Sequence, residues 1–591
     1  MFVKETKVKR SGREYSYLQL VEGYRDEGGK VRHRVVANLG RKDALKDSGQ
    51  LEALAGSFAR LDPPMTGTRR SVGPLLLVEH FLRELNVKDI VDGALPRSAR
   101  SILSVGEVVS ALVASRLCSP SPLYDVAGWA SGSAVHELLG IPPALLNDDR
   151  LGRALETVAV YSESLRSALA ARAIERFGVS AGRLHVDLTT VRVAGAYEDS
   201  ALIAKGWGSD RQVARQVRTL QACTPDGTVL YSRPDPGNAS ELTLVGASLE
   251  RLLEISGPGL LIVCDSAMGH PKTLGEIDRA GVRFVVPLRA STGFRERFTA
   301  AGGHEALRPV RYLPEREAGL APRHRTRFRG ALRDWEITGQ DGEPLRLRVA
   351  YIHSSEEAAQ VADARERALV KAEDALERMR NGLGGRYYKT REQVQRRIGQ
   401  ILGVNITGLI DVTVATNGKL TLTWERNQSA INTAATFDGI YALATNLPGR
   451  ITAGQILRLY KDQQIVERRH RDMKQTLKVR PIFLHNDDRV HALISIVGIS
   501  LLIFGLIEAR TRAALGEDQQ LPGLLPEGRT ARPTGRNILA AFQGLGLTYT
   551  HTGIQLDPLT DTQQQILDLL QIQPPWPTQA NHTLTNYGKR G

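Results

Sequence analysis

Three acidic residues occupy positions at which carboxylates could bind divalent metal ions and promote cleavage of phosphodiester bonds. Asp187 lies in the strand-like segment RLHVDLTTVRV, Asp265 ends the apolar run GLLIVCD, and Glu467 lies in the helical segment YKDQQIVERRHRDMK. The carboxyl ends of buried strands are where α/β sheets place functional groups. Carboxylate oxygens suit Mg²⁺ or Mn²⁺, and two such ions could support an in-line phosphoryl displacement. For Asp187 and Asp265 taken singly, the alternative is a strand-end residue that hydrogen-bonds a turn.

The segment around Glu467 has helical spacing on two faces. One face carries a carboxylate, three basic side chains, an amide and a phenol. Its members are Tyr460, Gln463, Glu467, Arg471, Lys474 and Lys478. Residues three and four apart share a helix face. The other face is apolar and can pack on a sheet; it consists of Leu459, Val466, Met473 and Leu477. The spacing therefore predicts one helix that presents Glu467 beside cations, with a solvated face of i,i+4 ion pairs as the alternative.

These segments resemble the insertion-sequence-4-like DDE transposases. Tyr460, Glu467 and Lys474 match the family's Tyr-x2-Arg-x3-Glu-x6-Lys signature, with Gln463 in place of the arginine. HVDLTT resembles the first-aspartate motif, IVCDSAM the second, and DPGNASELT the Gly-Asn segment between them. The N-terminal YLQLVEGYRDEGGKVRHRVVANLG and the segment VRPIFLHNDDRVHALISIVGISLL also resemble this group. The resemblance covers most of residues 1–510.

The resemblance implies an RNase H-like mixed-sheet α/β core and a DNA transposase of an insertion sequence. Such an enzyme binds terminal inverted repeats and cleaves and transfers DNA strands, here by cut-and-paste chemistry. The resemblance implies that Asp187, Asp265 and Glu467 are the catalytic metal ligands, and that Tyr460 and Lys474 contact DNA phosphates. Gln463 can still hydrogen-bond a phosphate but brings no charge. A homodimer on the element ends and target DNA is also implied.

Composition agrees with a nucleic-acid partner. The 591 residues contain 78 Lys and Arg against 64 Asp and Glu, a net charge of +14, which favours a polyanion such as double-stranded DNA. Three cysteines without a C-x-x-C pair exclude a disulfide framework and a structural zinc site. The pattern is typical of a reducing cytoplasm. The run Ala492 to Ile507 is too short for a bilayer core and indicates a buried helix.

Two groups of basic residues are candidates for contact with the DNA backbone. The first precedes the second core strand and consists of Lys205, Arg211, Arg215 and Arg218. The second alternates along the chain, so that in a strand its members would share one side; it consists of Arg323, Arg325, Arg327 and Arg329. An exposed, charge-protected edge strand is the alternative for this row. Trp335 and Trp424 could stack on an extruded base, with core packing as the commoner role.

The pattern of elements predicts six regions, of which the second binds DNA ends and the fifth carries the catalytic helix. They are an N-terminal β element (1–45), a helical region (71–180), the first part of the core (181–290), an inserted α+β domain (291–435), the second part of the core (436–512) and a tail with one helix (513–591). Within 181–290 the order β-β-β-α-β-α-β is RNase H-like. Because this alternation breaks in 291–435, we expect that region to lie outside the sheet.

Three functional hypotheses remain open at this point. The favoured one is an active transposase, since all three acids are present. The second is a catalytically inactive or repurposed DNA-binding relative. The third is another RNase H-like nuclease or resolvase, against which the long separation of Asp265 and Glu467 and the position of Lys474 argue. A metal-dependent phosphatase is disfavoured because no D-x-D or His-rich ligand set occurs.

Overall fold

A computed structural model describes residues 2–10, 13–25, 31–48, 67–95, 102–208, 212–289, 292–338, 343–479, 482, 484, 486–516 and 519–578. The chain divides into two compact units. The first unit comprises Met1–Ser240, Arg251–Gly257 and Gln464–Gly591. The second comprises Glu241–Glu250 and Pro258–Gln463.

The first unit begins with a three-stranded antiparallel sheet in the order β1-β2-β3. The strands are β1 (Phe2–Arg10), β2 (Arg13–Arg25) and β3 (Val31–Arg41), and helix α1 (Lys42–Asp47) follows them. The sequence pattern predicted β2 and β3 but not β1. The predicted turn DEGG lies outside the described residues.

A helical region follows the short strand β4 (Arg69–Ser71). Its helices are α2 (Leu75–Glu84), α3 (Val87–Ala94), α4 (Val105–Cys118), α5 (Val126–Gly132), α6 (Val135–Leu139) and α7 (Asp148–Phe177). Ser104 and Glu107 form a capping box at the start of α4, which satisfies two backbone N–H groups that the helix leaves unpaired. Gly178 ends α7 with φ +63°, a conformation that costs glycine little. These helices lie where the apolar periodicity predicted them.

Four strands of the first unit form an antiparallel arrangement around β7. They are β5 (Arg183–Arg192), β6 (Ala204–Trp207), β7 (Val213–Cys223) and β8 (Val229–Pro236). One edge of β7 pairs with β5, and the other pairs with β6 and then with β8. The turn between β7 and β8 has the sequence Thr-Pro-Asp-Gly, in which Asp226 accepts a hydrogen bond from Thr228 N at 3.0 Å. Only β6 was missed by the sequence pattern.

The second unit contains a six-stranded mixed sheet in the order β11-β12-β13-β16-β10-β9. Strands β9 and β10 are parallel and the other pairs are antiparallel. Val263, Val285, Ala350, Leu443 and Ile456 belong to its buried core. The strands of this unit are β9 (Leu261–Cys264), β10 (Arg283–Pro287), β11 (Arg308–Val310), β12 (Phe328–Thr338), β13 (Pro344–Ser354), β14 (Ile410–Asn417), β15 (Lys419–Arg426) and β16 (Ile440–Thr445). Its helices are α9 (Pro271–Arg279), α10 (Phe294–Ala300), α11 (Ser355–Asn381), α12 (Arg391–Ile406), α13 (Gln428–Ala435) and α14 (Ala453–Lys461). Helix α8 (Glu241–Ser256) has residues in both units.

The structure corrects the expectation that all of 291–435 lies outside the sheet. Strand β13 pairs with β12 on one side and with β16 on the other, so it is an interior strand. Its run Val349, Ala350, Tyr351 and Ile352 is almost fully buried, and a strand buried on both faces reads as a continuous apolar run rather than an alternating one. The expectation was therefore wrong for the strands of 308–354.

Residues 355–435 do form a cluster of their own. Helices α11 and α12 and the β14–β15 hairpin share a core that includes Leu369, Leu376, Val394, Ile410 and Leu422. Ser354 accepts from the Glu357 backbone N–H at 3.3 Å and so caps α11. The spacing Ser354-x-x-Glu357 is that of a capping box, but the Glu357 carboxylate binds Lys461 Nζ at 2.9 Å instead of the cap backbone.

The C-terminal part of the first unit contains α15 (Gln464–Arg471), α16 (Asp487–Leu515), α17 (Gly535–Ala541), β17 (Gly546–Thr550), β18 (Gly553–Leu556) and α18 (Asp561–Leu570). Helix α16 is long and apolar enough to cross a membrane by length and composition, yet 94% of its most apolar window is buried inside the protein. This confirms the prediction of a buried helix at 492–507. The tail holds more structure than the one helix predicted, because β17 pairs with both β18 and β4.

Candidate functional site

Asp187 lies near the middle of β5, opposite Gln221 of β7. Its side chain is 17% exposed, and Oδ1 accepts a hydrogen bond from Leu188 N–H at 2.8 Å. Gln221 is fully buried and donates from Nε2 to the sulfur of Met473 at 3.2 Å. Asp187 is therefore a partly exposed carboxylate on a strand whose partner strand contacts the segment after Glu467.

The segment that carries Glu467 is not one continuous helix. Helix α14 ends at Lys461, α15 runs from Gln464 to Arg471, and a π-helical turn covers Asp472–Thr476. Lys478 follows with φ +44°, a conformation that is uncommon outside glycine. The expectation of a single face from Tyr460 to Lys478 is wrong because these breaks change the rotation between its members. The apolar face is confirmed by the burial of Val466, Met473 and Leu477.

Helix α15 packs against β5 through His470, which lies one turn after Glu467. His470 Nδ1 is 3.5 Å from Asp187 Oδ2, and His470 is 8% exposed. Burial, together with the charge of Lys474, lowers the pKa of His470 to about 3. The imidazole is therefore neutral, and its approach to Asp187 is a polar contact rather than an ion pair. Glu467 itself is exposed, and residues three apart are neighbours on a helix.

Asp265 is held in the second unit by Gln463. In the amide orientation that matches donors with acceptors, Gln463 Nε2 donates to Cys264 O at 2.8 Å and Oε1 accepts from Asp265 N at 2.9 Å. The Asp265 carboxylate accepts from Ala267 N at 2.9 Å and caps the following 3-10 turn. Gln463 is only 6% exposed. The structure thus places Gln463 against the backbone at Asp265, and a contact of its side chain with DNA stays a prediction.

The structure brings Asp187 together with His470, and Asp265 together with Gln463. Across the part of the chain that the structure describes, no group of three or more His, Cys, Asp or Glu side chains is placed so that it could hold a metal ion. Convergence of Asp187, Asp265 and Glu467 therefore stays a prediction. The donor set itself, three carboxylates, is the type that Mg²⁺ and Mn²⁺ prefer.

A buried ion network anchors α15 inside the first unit. Arg469 is fully buried; its Nη1 lies 3.0 Å from Asp472 Oδ2 and 3.0 Å from Glu508 Oε2, and its Nε donates to Gly227 O at 2.7 Å. Arg512 also contacts Glu508, at 2.7 Å. Burial works against both charges, but their mutual attraction outweighs it, so the pKa of Arg469 is raised and that of Glu508 is lowered.

Sequence reasoning missed the residues that position α15. His470 and Arg469 stand in the motif ERRHRD and look like members of a charged surface. One signal for the network was available. Glu508 interrupts the apolar run of α16, and a carboxylate there must be paired if it is buried.

Three members of the first basic group lie on two paired strands. Lys205 in β6 stands opposite Arg215 in β7, and Arg215 Nη1 donates to Tyr197 O at 2.7 Å. Arg218 follows along β7, and Arg211 lies outside the described residues. Arg471 is exposed on α15.

The second basic group is not a strand, which corrects that expectation. Residues Pro322–His324 form a 3-10 turn, and β12 begins only at Phe328, so of the four arginines only Arg329 lies in a strand. Proline restricts the local backbone and begins this turn. Arg325 donates to Leu320 O and Arg329 to His304 O, whereas Arg323 and Arg327 are exposed. Two arginines of this row therefore hydrogen-bond the protein's own backbone, and the other two are exposed.

The aromatic candidates pack against the protein. Trp335 is 7% exposed beneath the Arg297 guanidinium, and Trp424 packs on the core of 355–435. Tyr460 is half-buried beside Tyr441. Core packing is thus the role in which the structure places both tryptophans.

Comparison with protein families decides the identity. Residues 181–503, more than half of the chain, match the family model described as Transposase DDE domain. The chain belongs to the DDE-domain transposases. Residues 3–63 match the IS1634 family transposase N-terminal domain, and residues 68–170 match a domain of unknown function, DUF4277. No curated protein matched the chain.

The family match confirms the central prediction. The protein is a DNA transposase of an insertion sequence, an enzyme of the nucleotidyl-transferase type, and transposases of this kind generally use divalent metal ions. The matched region contains Asp187, Asp265 and Glu467, while the N-terminal sheet and the helical region match separate families. The finer placement among insertion-sequence-4-like enzymes stays a prediction.

Proposed function

We propose that this transposase, in the cytoplasm, binds the terminal inverted repeats of its element, cleaves the DNA there and joins the ends to target DNA by a cut-and-paste route. The insertion-sequence-4-like signature supports the route, and a homodimer would pair the two ends. The observation that carries the proposal is the contact between His470 and Asp187. It shows that the helix carrying Glu467 packs against the strand carrying Asp187 within the matched DDE region.

We assign metal binding to Asp187, Asp265 and Glu467. Asp187 and Asp265 each accept a backbone N–H that fixes the carboxylate, and Glu467 lies on an exposed helix surface one turn from His470. Two bound Mg²⁺ ions would supply charge stabilisation of the attacking and leaving oxygens. His470 orients the Asp187 carboxylate through Nδ1, and Gln463 fixes the backbone at Asp265.

We assign DNA contacts to Tyr460, to basic side chains of the segment that carries Glu467 and to members of the two basic groups. Lys474 and Lys478 would bind phosphates as point charges, Arg471 would reach the duplex from α15, and Tyr460 would donate to a phosphate. Weaker contacts with the DNA backbone would come from Arg211, Arg215, Arg323, Arg325, Arg327 and Arg329. The net charge of +14 supports such binding.

The decisive experiment replaces Glu467 by glutamine and measures strand cleavage on DNA carrying the sequences that flank the reading frame, with Mg²⁺ present. We expect cleavage to fall by roughly a thousandfold or more, because a ligand that holds metal in the transition state is worth several kcal/mol. Binding of the same DNA should persist. Glu175→Gln is the matched control, since Glu175 is 74% exposed on α7. Near wild-type cleavage by Glu467→Gln would refute the assignment.

A further inference from the structure

The first unit contains a cavity that none of the roles above explains. Its volume is about 250 Å³, slightly below the roughly 300 Å³ at which small-molecule sites begin. It lies among α4, the segment after α4, α7 and α16. The lining that matters for its chemistry is Arg116, Ser121, Leu123, Lys478 and Arg489.

Arg116 is a buried cation for which the described residues provide no carboxylate partner. It is 8% exposed, and Nη1 donates to the Lys478 carbonyl oxygen at 3.1 Å. Burial lowers the pKa of Arg116 to about 10, and no charge among the described residues offsets this effect. Buried charges are normally paired because desolvation is costly. An anion in the cavity would supply the missing partner.

A second buried group in the same cavity also lacks a partner. Among the described residues, the hydroxyl of Ser121 has no hydrogen-bond partner, although its oxygen is buried. A hydroxyl beside a guanidinium is suited to bind a phosphate oxygen. Arg489 adds positive charge but is paired with Glu156 at 2.8 Å. Asp148 lines the cavity too, as an exposed carboxylate that acts against an anion.

The walls beside these polar groups are apolar. Pro120, Pro122 and Leu123 line the cavity together with the largely exposed Tyr124. A site that combines a phosphate-binding end with an apolar wall and an aromatic ring fits a nucleotide, whose phosphate and base have these two characters. The volume suits one nucleotide and excludes a duplex.

We propose that this cavity binds one phosphorylated nucleotide of a single DNA strand, with the phosphate on Arg116 and Ser121 and the base against the apolar wall. The inference rests on the proposed function for the choice of DNA as the source of the nucleotide. Lys478 links the two sites, because it stands just after the segment that carries Glu467 and its carbonyl oxygen accepts the hydrogen bond from Arg116. Its backbone is left-handed, with φ +44°. Strained backbone of this kind is common at functional sites.

The test measures binding of a 5′-phosphorylated, 3′-fluorescein-labelled hexathymidylate to the full chain without divalent ions. We expect Arg116→Met to weaken binding roughly tenfold or more, since a charge-assisted hydrogen bond is lost. Ser121→Asp should weaken it similarly by repelling the phosphate, and it keeps the test valid if Arg116→Met does not fold. Arg153→Met is the control, because Arg153 is exposed on α7 and does not line the cavity. Unchanged binding by the folded variants would overturn the proposal.

A second readout locates the strand. A hexanucleotide with 4-thiothymidine at its phosphorylated end should crosslink under ultraviolet light to the peptide containing residues 120–124, and thymidine monophosphate in excess should compete with it. Crosslinking confined to other peptides would overturn the proposal. Thymidine monophosphate that binds as tightly as the oligonucleotide would overturn the assignment to a DNA strand.

The outcome is separable from the test of the proposed function. Because no divalent ion is present and the probe carries no element end, cleavage plays no part in this measurement. Failure of Glu467→Gln to reduce cleavage would refute the catalytic assignment and leave the crosslink result standing. Failure of the crosslink would remove this site and leave the cleavage result standing.

Discussion

The two units hold their acid-bearing segments by different means. In the first unit, α15 is anchored by Arg469, a buried cation between Asp472 and Glu508. In the second unit, the backbone at Asp265 is held by the neutral amide of Gln463. The two anchoring residues are only six positions apart in the sequence. Removing one member of a buried ion network is costly because it leaves a buried charge unpaired. Removing a neutral amide costs only the hydrogen bonds that the amide made.

The largest expected effect is on the buried network. Arg469→Met should reduce the free energy of unfolding of the first unit by about 3–5 kcal/mol, because Glu508 and Asp472 would lose their buried partner. Chemical denaturation monitored by hydrogen exchange in α15 and α16 measures it. Arg471→Met is the control, since Arg471 is exposed and its loss should cost less than about 0.5 kcal/mol. Equal effects for the two variants would contradict the importance of the network.

A smaller expected effect is a pH dependence of stability that the first unit shows through His491. Burial, with the charge of Arg166, lowers the pKa of His491 in α16 to about 4, below its ordinary value of 6.5. The folded state thus binds the proton less readily than the unfolded state. The contribution of neutral His491 to the free energy of unfolding is therefore present above pH 6.5 and is lost as the pH falls from about 6.5 to about 4.

His491→Gln should therefore remove part of the acid sensitivity of the first unit. At pH 4.5 the variant should regain about 2 kcal/mol relative to wild type, after correction for its difference at pH 7. Urea unfolding at the two pH values measures the difference. In the second unit, Gln463 does not titrate, so its contribution should not change over this range. The same pH dependence in wild type and variant would exclude His491 as its source.

The smallest effect concerns the neutral anchor. Gln463→Met should cost about 1–2 kcal/mol, because it leaves Asp265 N–H and Cys264 C=O without this partner. Cleavage should fall with little change in DNA affinity, since Gln463 is buried and acts through Asp265. Gln455→Met, which replaces the exposed capping-box glutamine of α14, is a control for the side chain. If Gln463→Met lost DNA affinity and kept its cleavage rate, the side chain would contact DNA, as the sequence suggested.

The sequence predicted elements best where one physical signal dominated. The apolar periodicity of α4 and α7 and the buried run of α16 indicated helices that the structure contains. The prediction was wrong where the local residue pattern of a segment was compatible with two different structures. Strand β13 was assigned to an insertion because it follows an irregular stretch, although its apolar run is that of an interior strand. The arginine row was assigned to a strand because alternation alone cannot distinguish a strand from a turn that begins at Pro322.

The sequence by itself indicated the family, because three spaced motifs around Asp187, Asp265 and Glu467 resemble those of DDE transposases. Family comparison confirmed that conclusion at the level of a DDE transposase. Only the tertiary structure decided how the segments are held. Arg469 and Glu508 are 39 residues apart, and Gln463 and Asp265 nearly two hundred. A residue's burial and its partner depend on contacts between such distant segments, and neither residue type nor local spacing encodes them.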